Sequence, residues 1–264
     1  MDDYKGHWAL VTGASSGIGE EFARQLAGHG INLVMTARDE TALERLSHEL
    51  TAAHSIEARV FAADLALPGG LAALYDHLAA AEIRIRLLVN NAAFGRWGRF
   101  EATDAETYQQ MIALNVTALV SLCHRFLPDL VTFPTSAVIN LSSPAAFQPV
   151  PYMAVYAASK AFVHSFSQAL HGEWREKGVL VQTLVPGPTR SAFDERAGAY
   201  ASALKEKREL PALAVRAALE HLRDGRPVVT TAKGTGKQRL FACLAPPSLV
   251  IREVAKMFRP PKAS

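Results

Sequence analysis

Cysteine is almost missing from this 264-residue chain. Cys123 and Cys243 are its only two, far apart and outside any CxxC or Cys/His grouping. That excludes a disulfide framework and a zinc site, and predicts a reducing, cytoplasmic setting. Long apolar runs are also absent: no continuous stretch approaches the roughly 18–20 residues of a membrane span. The opening MDDYKGHW lacks the charged-then-apolar pattern of an export signal, so neither spanning nor export is expected. Charge of one sign is scarce too, with Lys+Arg 28 against Asp+Glu 25, and aromatics are only 8% of residues. Without a basic run interleaved with aromatics, a nucleic-acid partner is not expected. No repeat, low-complexity segment or Pro/Gly/Ser-rich linker divides the chain, which predicts one domain over 1–264. What the chain does have is apolar material, 49% of it, enough for a large core.

Short apolar runs alternate with longer amphipathic ones, the pattern of βαβ units and a parallel sheet. Strands are predicted at Trp8–Val11, Asn32–Thr36, Ala58–Phe61, Leu87–Asn90, Ala137–Leu141 and Val179–Val185, with helices opening near Gly17, Glu40, Gly69, Asp104 and Val155. The fold class is therefore α/β, a doubly wound parallel sheet with helices on both faces. Pro186-Gly187-Pro188 breaks the chain after the sixth strand, and the polar segment 187–212 is a candidate substrate lid.

The first strand runs into Thr12-Gly13-Ala14-Ser15-Ser16-Gly17-Ile18-Gly19 and then a helix. Backbone N–H groups and the helix dipole at such a turn suit a pyrophosphate, and the strand-turn-helix context favours a dinucleotide over an ordinary tight connection. The second strand ends Thr36-Ala37-Arg38 with no acid to take a ribose 2′-hydroxyl. Arg38 suits a 2′-phosphate, so NADP(H) is preferred and NAD(H) remains possible; the alternative is a solvated arginine neutralised by Asp39. Asp64, after the third strand, suits the adenine amino group or a cap on the turn before Pro68.

Tyr156 and Lys160 lie four apart in a helical run and share one face. A free phenol titrates near 10, and a neighbouring ammonium would lower it, giving a tuned acid/base. The strand before them ends Asn140-Leu141-Ser142-Ser143, at the carboxyl edge where doubly wound sheets bind ligands. Alternation sends one of these serines to the site and the other to a local bond.

Together TGASSGIG, NNAA, Asn115, Ser143, YAASK and PGPTRS resemble the short-chain dehydrogenase/reductase family, from about Trp8 to Phe193. The resemblance implies a Rossmann-type sheet of seven parallel strands and catalysis by Asn115, Ser143, Tyr156 and Lys160. Ser143 is chosen over Ser142 because the family's serine stands thirteen residues before its tyrosine. Tyr156 would protonate a carbonyl oxygen as hydride arrives, Ser143 would polarise that oxygen, Lys160 would hold the nicotinamide ribose, and Asn115 would keep a water in a proton relay. The implied cofactor contacts are Gly13, Ser15, Ser16, Gly17, Ile18, Gly19, Arg38, Asp64, Leu65, Asn91, Ala92, Tyr156, Lys160, Pro186, Gly187, Thr189 and Ser191. Ala93 replaces a usual glycine, and Ser191 a usual threonine. The family also suggests a homodimer or homotetramer through the helices bearing Asn115 and Tyr156.

For the substrate, Phe94, Trp97, Phe147, Tyr152 and Phe193 can reach the same edge, with Arg96 and Arg196 at the mouth for an anionic group. Such a wall predicts a hydrophobic ketone or aldehyde and its alcohol. A cofactor sensor without turnover, or an epimerase or dehydratase, are the competing readings of the same scaffold. The segment 233–264 is basic, and Val250, Ile251, Val254, Met257 and Phe258 form a helical stripe. It is expected to pack on its own domain or a second subunit, with an anionic membrane surface as the alternative.

Overall fold

A computed structural model describes residues 1–198 and 208–260. Seven parallel strands form one sheet in the order β3-β2-β1-β4-β5-β6-β7. They are β1 (Trp8–Thr12), β2 (Asn32–Ala37), β3 (Ala58–Ala62), β4 (Ile85–Asn90), β5 (Ser136–Leu141), β6 (Val179–Val185) and β7 (Val228–Thr230). On one face lie α1 (Gly17–Gly28), α2 (Glu40–Ala53) and α8 (Pro211–Leu222), packed on Ala9, Val11, Leu33 and Met35. On the other lie α3 (Pro68–Ala80), α5 (Leu119–Leu130) and α6 (Ala154–Trp174), packed on Leu10, Val34 and Val138. Alternate residues of one strand thus serve opposite cores, so the central strands read as continuous apolar runs. β4 and β5 are buried at every position.

Helix starts follow local chemistry. The Asp39 carboxylate accepts from Ala42 N at 3.0 Å to cap α2, and Asp104 accepts from Thr107 N at 2.7 Å to cap α4 (Ala105–Ile112). Proline opens α3, α8 and α10 (Pro247–Phe258) at positions whose N–H would be unpaired anyway. Between α4 and α5 the chain widens into a π-helical turn, Ala113–Ala118, which carries Asn115. The continuous helix Ala105–Leu130 is long and apolar enough by length and composition to cross a membrane, although it is not a continuous apolar run. Its Leu119, Leu122 and Phe126 are buried in the second core.

Two segments differ from expectation. The start of the candidate lid is not loose: α7 (Phe193–Ala197) packs down, with Ala197 buried and its carbonyl accepting from Trp97 N at 2.8 Å. Further along, Glu209 pairs as a parallel bridge with Thr189. The remainder of the lid, 199–207, lies outside the described residues, as does the end of the basic tail, 261–264. The rest of the tail forms α9 (Thr235–Leu244) and α10. Val250 and Val254 of the expected stripe are buried against Met111, Met153 and Tyr156, whereas Ile251 and Met257 are exposed.

Candidate active site

The strand order reverses between β1 and β4, and the crevice at their carboxyl ends is where ligands of open parallel sheets bind. Close backbone approach shapes it. Gly13, at φ +67°, leaves no room for a side chain, since a Cβ would stand 2.8 Å from Asn91 Nδ2 and 3.0 Å from Ala92 Cα. A Cβ on Gly19 would lie 2.2 Å from the Gly13 carbonyl oxygen. Gly19 therefore does not face the cavity as a contact residue; it lets α1 press against the turn. Asn91 fastens the other side, its Nδ2 donating to the Thr12 and Gly13 carbonyls at 2.9 and 3.1 Å. The buried Thr12 hydroxyl accepts from Asn91 N and Ala92 N, both at 3.0 Å.

From this turn a cavity of about 890 Å³ runs along the sheet edge. It begins at Gly13, Ser15, Ser16, Gly17 and Ile18, passes Arg38, Asp64, Leu65, Asn91 and Ala92, and reaches Ser143, Tyr156, Lys160, Pro186, Gly187, Thr189 and Ser191. A glycine-walled trough leading from a helix N-terminus to a Tyr–Lys pair fits an extended dinucleotide. Arg38 is largely exposed, and its nearest carboxylate is Asp64 at 3.8 Å. Asp39, the acid of the alternative reading, is spent on capping α2. Asp64 serves as a turn cap, accepting from Ala66 N at 2.9 Å, while also lining the cavity.

Ser143 and Tyr156 come together here: the Ser143 hydroxyl stands close enough to the buried phenol to pull its pKa down, and it accepts from Ala145 N at 3.2 Å. Ser142 turns away and donates to the Lys160 carbonyl at 2.9 Å. Lys160 Nζ donates to the Leu141 carbonyl at 3.0 Å and stands 5.8 Å from the Tyr156 ring centroid. The expected lowering of the phenol pKa by this ammonium is not what the geometry gives. Burial pushes Tyr156 up to about 12, with Ser143 opposing, and the same burial brings Lys160 down to about 8. Both groups lose water, and for Tyr156 that loss outweighs the lowering by Ser143.

Asn115 does not line the cavity. Its Oδ1 accepts from Phe94 N at 3.1 Å, and its Nδ2 donates to the Phe94 carbonyl at 2.9 Å and to Ser159 Oγ at 3.0 Å. Ser159 in turn donates to the Tyr156 carbonyl at 2.7 Å. The carboxamide ties the loop after β4 to α6, which gives Asn115 a positioning role. Ser159, inside the YAASK motif, was the legible but unread signal of this link.

Beyond Tyr156 the cavity opens into an apolar chamber. Phe94, Trp97 and Phe193 line it as expected, the last packed on Tyr156 with ring centroids 5.2 Å apart. Phe147 and Tyr152 do not. The turn Pro144–Phe147 lays Phe147 edge-on against His164, with Arg239 on its ring. Tyr152 occupies a left-handed turn, φ +68°, and Val150 and Met153 on either side form the wall instead. Arg196 lines the mouth, but Arg96 does not and donates to the Arg196 carbonyl at 3.3 Å. Phe241 of α9 and Val254, Met257 and Phe258 of α10 complete the chamber. Two bonds hold these helices over it: Gln238 Nε2 to the Pro144 carbonyl at 3.0 Å, and Trp97 Nε1 to the Phe258 carbonyl at 2.7 Å.

Comparison with known proteins agrees with this layout. The family model for short chain dehydrogenase matches residues 7–201. The human very-long-chain 3-oxoacyl-CoA reductase is 34% identical over 187 residues, 69% of this chain and 59% of that protein, so the chain spans about three-fifths of the curated relative. Among solved structures, a short-chain dehydrogenase from Sphingobium yanoikuyae in complex with NADPH is 32% identical with a TM-score of 0.81, covering 98% of each chain. The bulky-bulky ketone specific alcohol dehydrogenase from Comamonas testosteroni is 28% identical with a TM-score of 0.77, covering 98% of this chain and 96% of that one. This chain belongs to the short-chain dehydrogenase family.

Proposed function

We propose that the chain interconverts bulky, apolar ketones or aldehydes with their alcohols, using NADP(H) in preference to NAD(H). The observation that carries this is the chamber beyond Tyr156, walled by Phe94, Trp97, Val150, Met153, Phe193, Val254 and Phe258. Such a wall favours rings and alkyl chains, about 0.8 kcal/mol per buried methylene, and offers few partners to a polyhydroxylated molecule. The names of the two relatives with bulky or long-chain keto substrates point the same way. Arg196 and Lys233, also on the cavity, leave a place for an anionic end.

The glycine turn, Asn91, Pro186, Gly187, Thr189 and Ser191 would hold the dinucleotide, which supplies or accepts the hydride when bound. Arg38 with no acid beside it on β2 supports the choice of a 2′-phosphate. The residues then divide the work. Ser143 orients the substrate oxygen, and the Tyr156 hydroxyl delivers the proton to it. A phenol held near pKa 12 is fully protonated at neutral pH, which suits reduction; the reverse reaction needs the phenolate and is favoured by alkali. Lys160, mostly an ammonium below pH 8, is placed to bond ribose hydroxyls. Asn115 and Ser159 fix Phe94 relative to Tyr156. The buried Cys123 and exposed Cys243 are both free thiols, which supports a reducing, cytoplasmic setting. A homo-oligomer is supported by the exposed Phe162 on α6, stacked on the half-buried Phe166.

The test is NADPH oxidation with ketones of increasing chain length beside several sugars. A rise of kcat/KM with apolar bulk, and one NADPH consumed per ketone reduced, supports the reading and separates it from a sensor or a redox-neutral epimerase or dehydratase. A flat series, or a preference for the sugars, overturns it.

A further inference from the structure

Among the described residues, exposed large apolar side chains concentrate on the α9–α10 pair: Leu240 at 61%, Phe241 at 40%, Leu244 at 76% and Met257 at 65%. Phe241 and Met257 are at once exposed and on the cavity wall, so this patch is the rim of the chamber. Along α9, Gly234, Gln238 and Phe241 turn to the cavity, while Lys237, Leu240 and Leu244, at i, i+3 and i+7, share the adjoining outer face. The charge carried by this stretch of chain is mostly of one sign. From 233 to 260 the chain carries Lys233, Lys237, Arg239, Arg252, Lys256 and Arg259 against Glu253 alone, and that acid is already bridged by Arg252 and Lys256.

We propose that this helical pair rests on an anionic lipid surface, with Leu240, Leu244 and Met257 in the interface, so that the chamber opens toward the acyl layer. Long cationic side chains beside an apolar rim can reach headgroup phosphates while their stems and the leucines lie deeper. A second copy is the poorer occupant. A two-fold interface would set this patch against itself and bring lysines and arginines face to face. The inference extends the reading of an apolar substrate, since a compound of that kind partitions into membranes, but it is tested without any substrate.

The experiment is flotation of the full chain with phosphatidylcholine vesicles, with and without phosphatidylglycerol. Binding is expected only with the anionic lipid, falling as salt is added. Lys237→Glu should lower the partition coefficient by at least about tenfold, given the loss of one favourable charge and the gain of a repelled one. Leu240→Ser with Leu244→Ser should lower it comparably, and both variants should reduce a short, water-soluble ketone as the parent does. No flotation, equal binding to neutral vesicles, or binding indifferent to both variants overturns the proposal. A dimer lost in the variants without any flotation assigns the face to a second copy instead. Flotation without turnover would sink the substrate reading and leave this one standing.

Discussion

The floor and the roof of the cavity are built on different principles. The floor is backbone: the glycine turn after β1, Asn91 locked to Thr12 and Gly13, and the Tyr156–Lys160 face of α6 braced by β5 through Leu141 and Ser142. The roof is side chain: α9 and α10 follow the last strand and are tied to the floor by Gln238 and Trp97. On the proposed reading, chemistry is set by elements buried in the sheet, whereas substrate choice also draws on helices that follow it.

The sharpest way to break this division is at the floor. Tyr156→Phe removes the proton donor and should lower turnover by roughly 10² to 10⁴-fold, with cofactor affinity nearly unchanged. A variant retaining half of the parent turnover would show that the proton comes from elsewhere. Arg38→Ala tests the adenosine end. A charge-assisted contact to a 2′-phosphate is worth about 1.5–3 kcal/mol, so NADPH affinity should fall at least about tenfold while NADH affinity holds. Fluorescence titration of both cofactors reads the ratio, and equal losses would make Arg38 a surface charge only.

The roof should respond more gently and only through substrate. Trp97→Phe keeps an aromatic ring but loses the bond to the Phe258 carbonyl, about 1 kcal/mol, so KM for a bulky ketone should rise about fivefold with kcat little changed. A parallel fall in kcat for a small ketone would mean that the roof also positions the reacting atoms. A separate effect is in stability rather than activity. Lys160 has a folded pKa near 8 against an ordinary 10.5, so between these values the unfolded chain binds more protons and stability rises with pH. The slope is at most about 1.4 kcal/mol per pH unit. Tyr156, raised to about 12, works oppositely, and its contribution is lost only above pH 10. Denaturation of the parent and of Lys160→Met between pH 8 and 10 isolates the lysine, because the variant should lack its share of the rise.

The same division explains what was legible. Six strand positions, the glycine turn, and the Tyr–Lys pair are local patterns, readable from spacing alone. β7 spans only Val228–Thr230, too short for periodicity, and was expected solely from family resemblance. Val254 and Met257 reach the chamber from the far end of the chain, where no local signal marks them as wall. Phe147 and Tyr152 were misplaced because backbone turns, invisible in composition, direct them away. For the Tyr156 pKa, adjacency in sequence reveals the charge beside the group but not how dry its surroundings are, and the dryness sets the sign.

The Trp97–Phe258 bond also bears on timing. On the proposed reading, a bulky alcohol leaving past the rim of α9 and α10 gives up its apolar contacts with the chamber, so the closure that strengthens binding lengthens residence. For the largest substrates the turnover rate would then be set by departure of product, and a looser roof would make the protein faster on them as well as weaker in its grip.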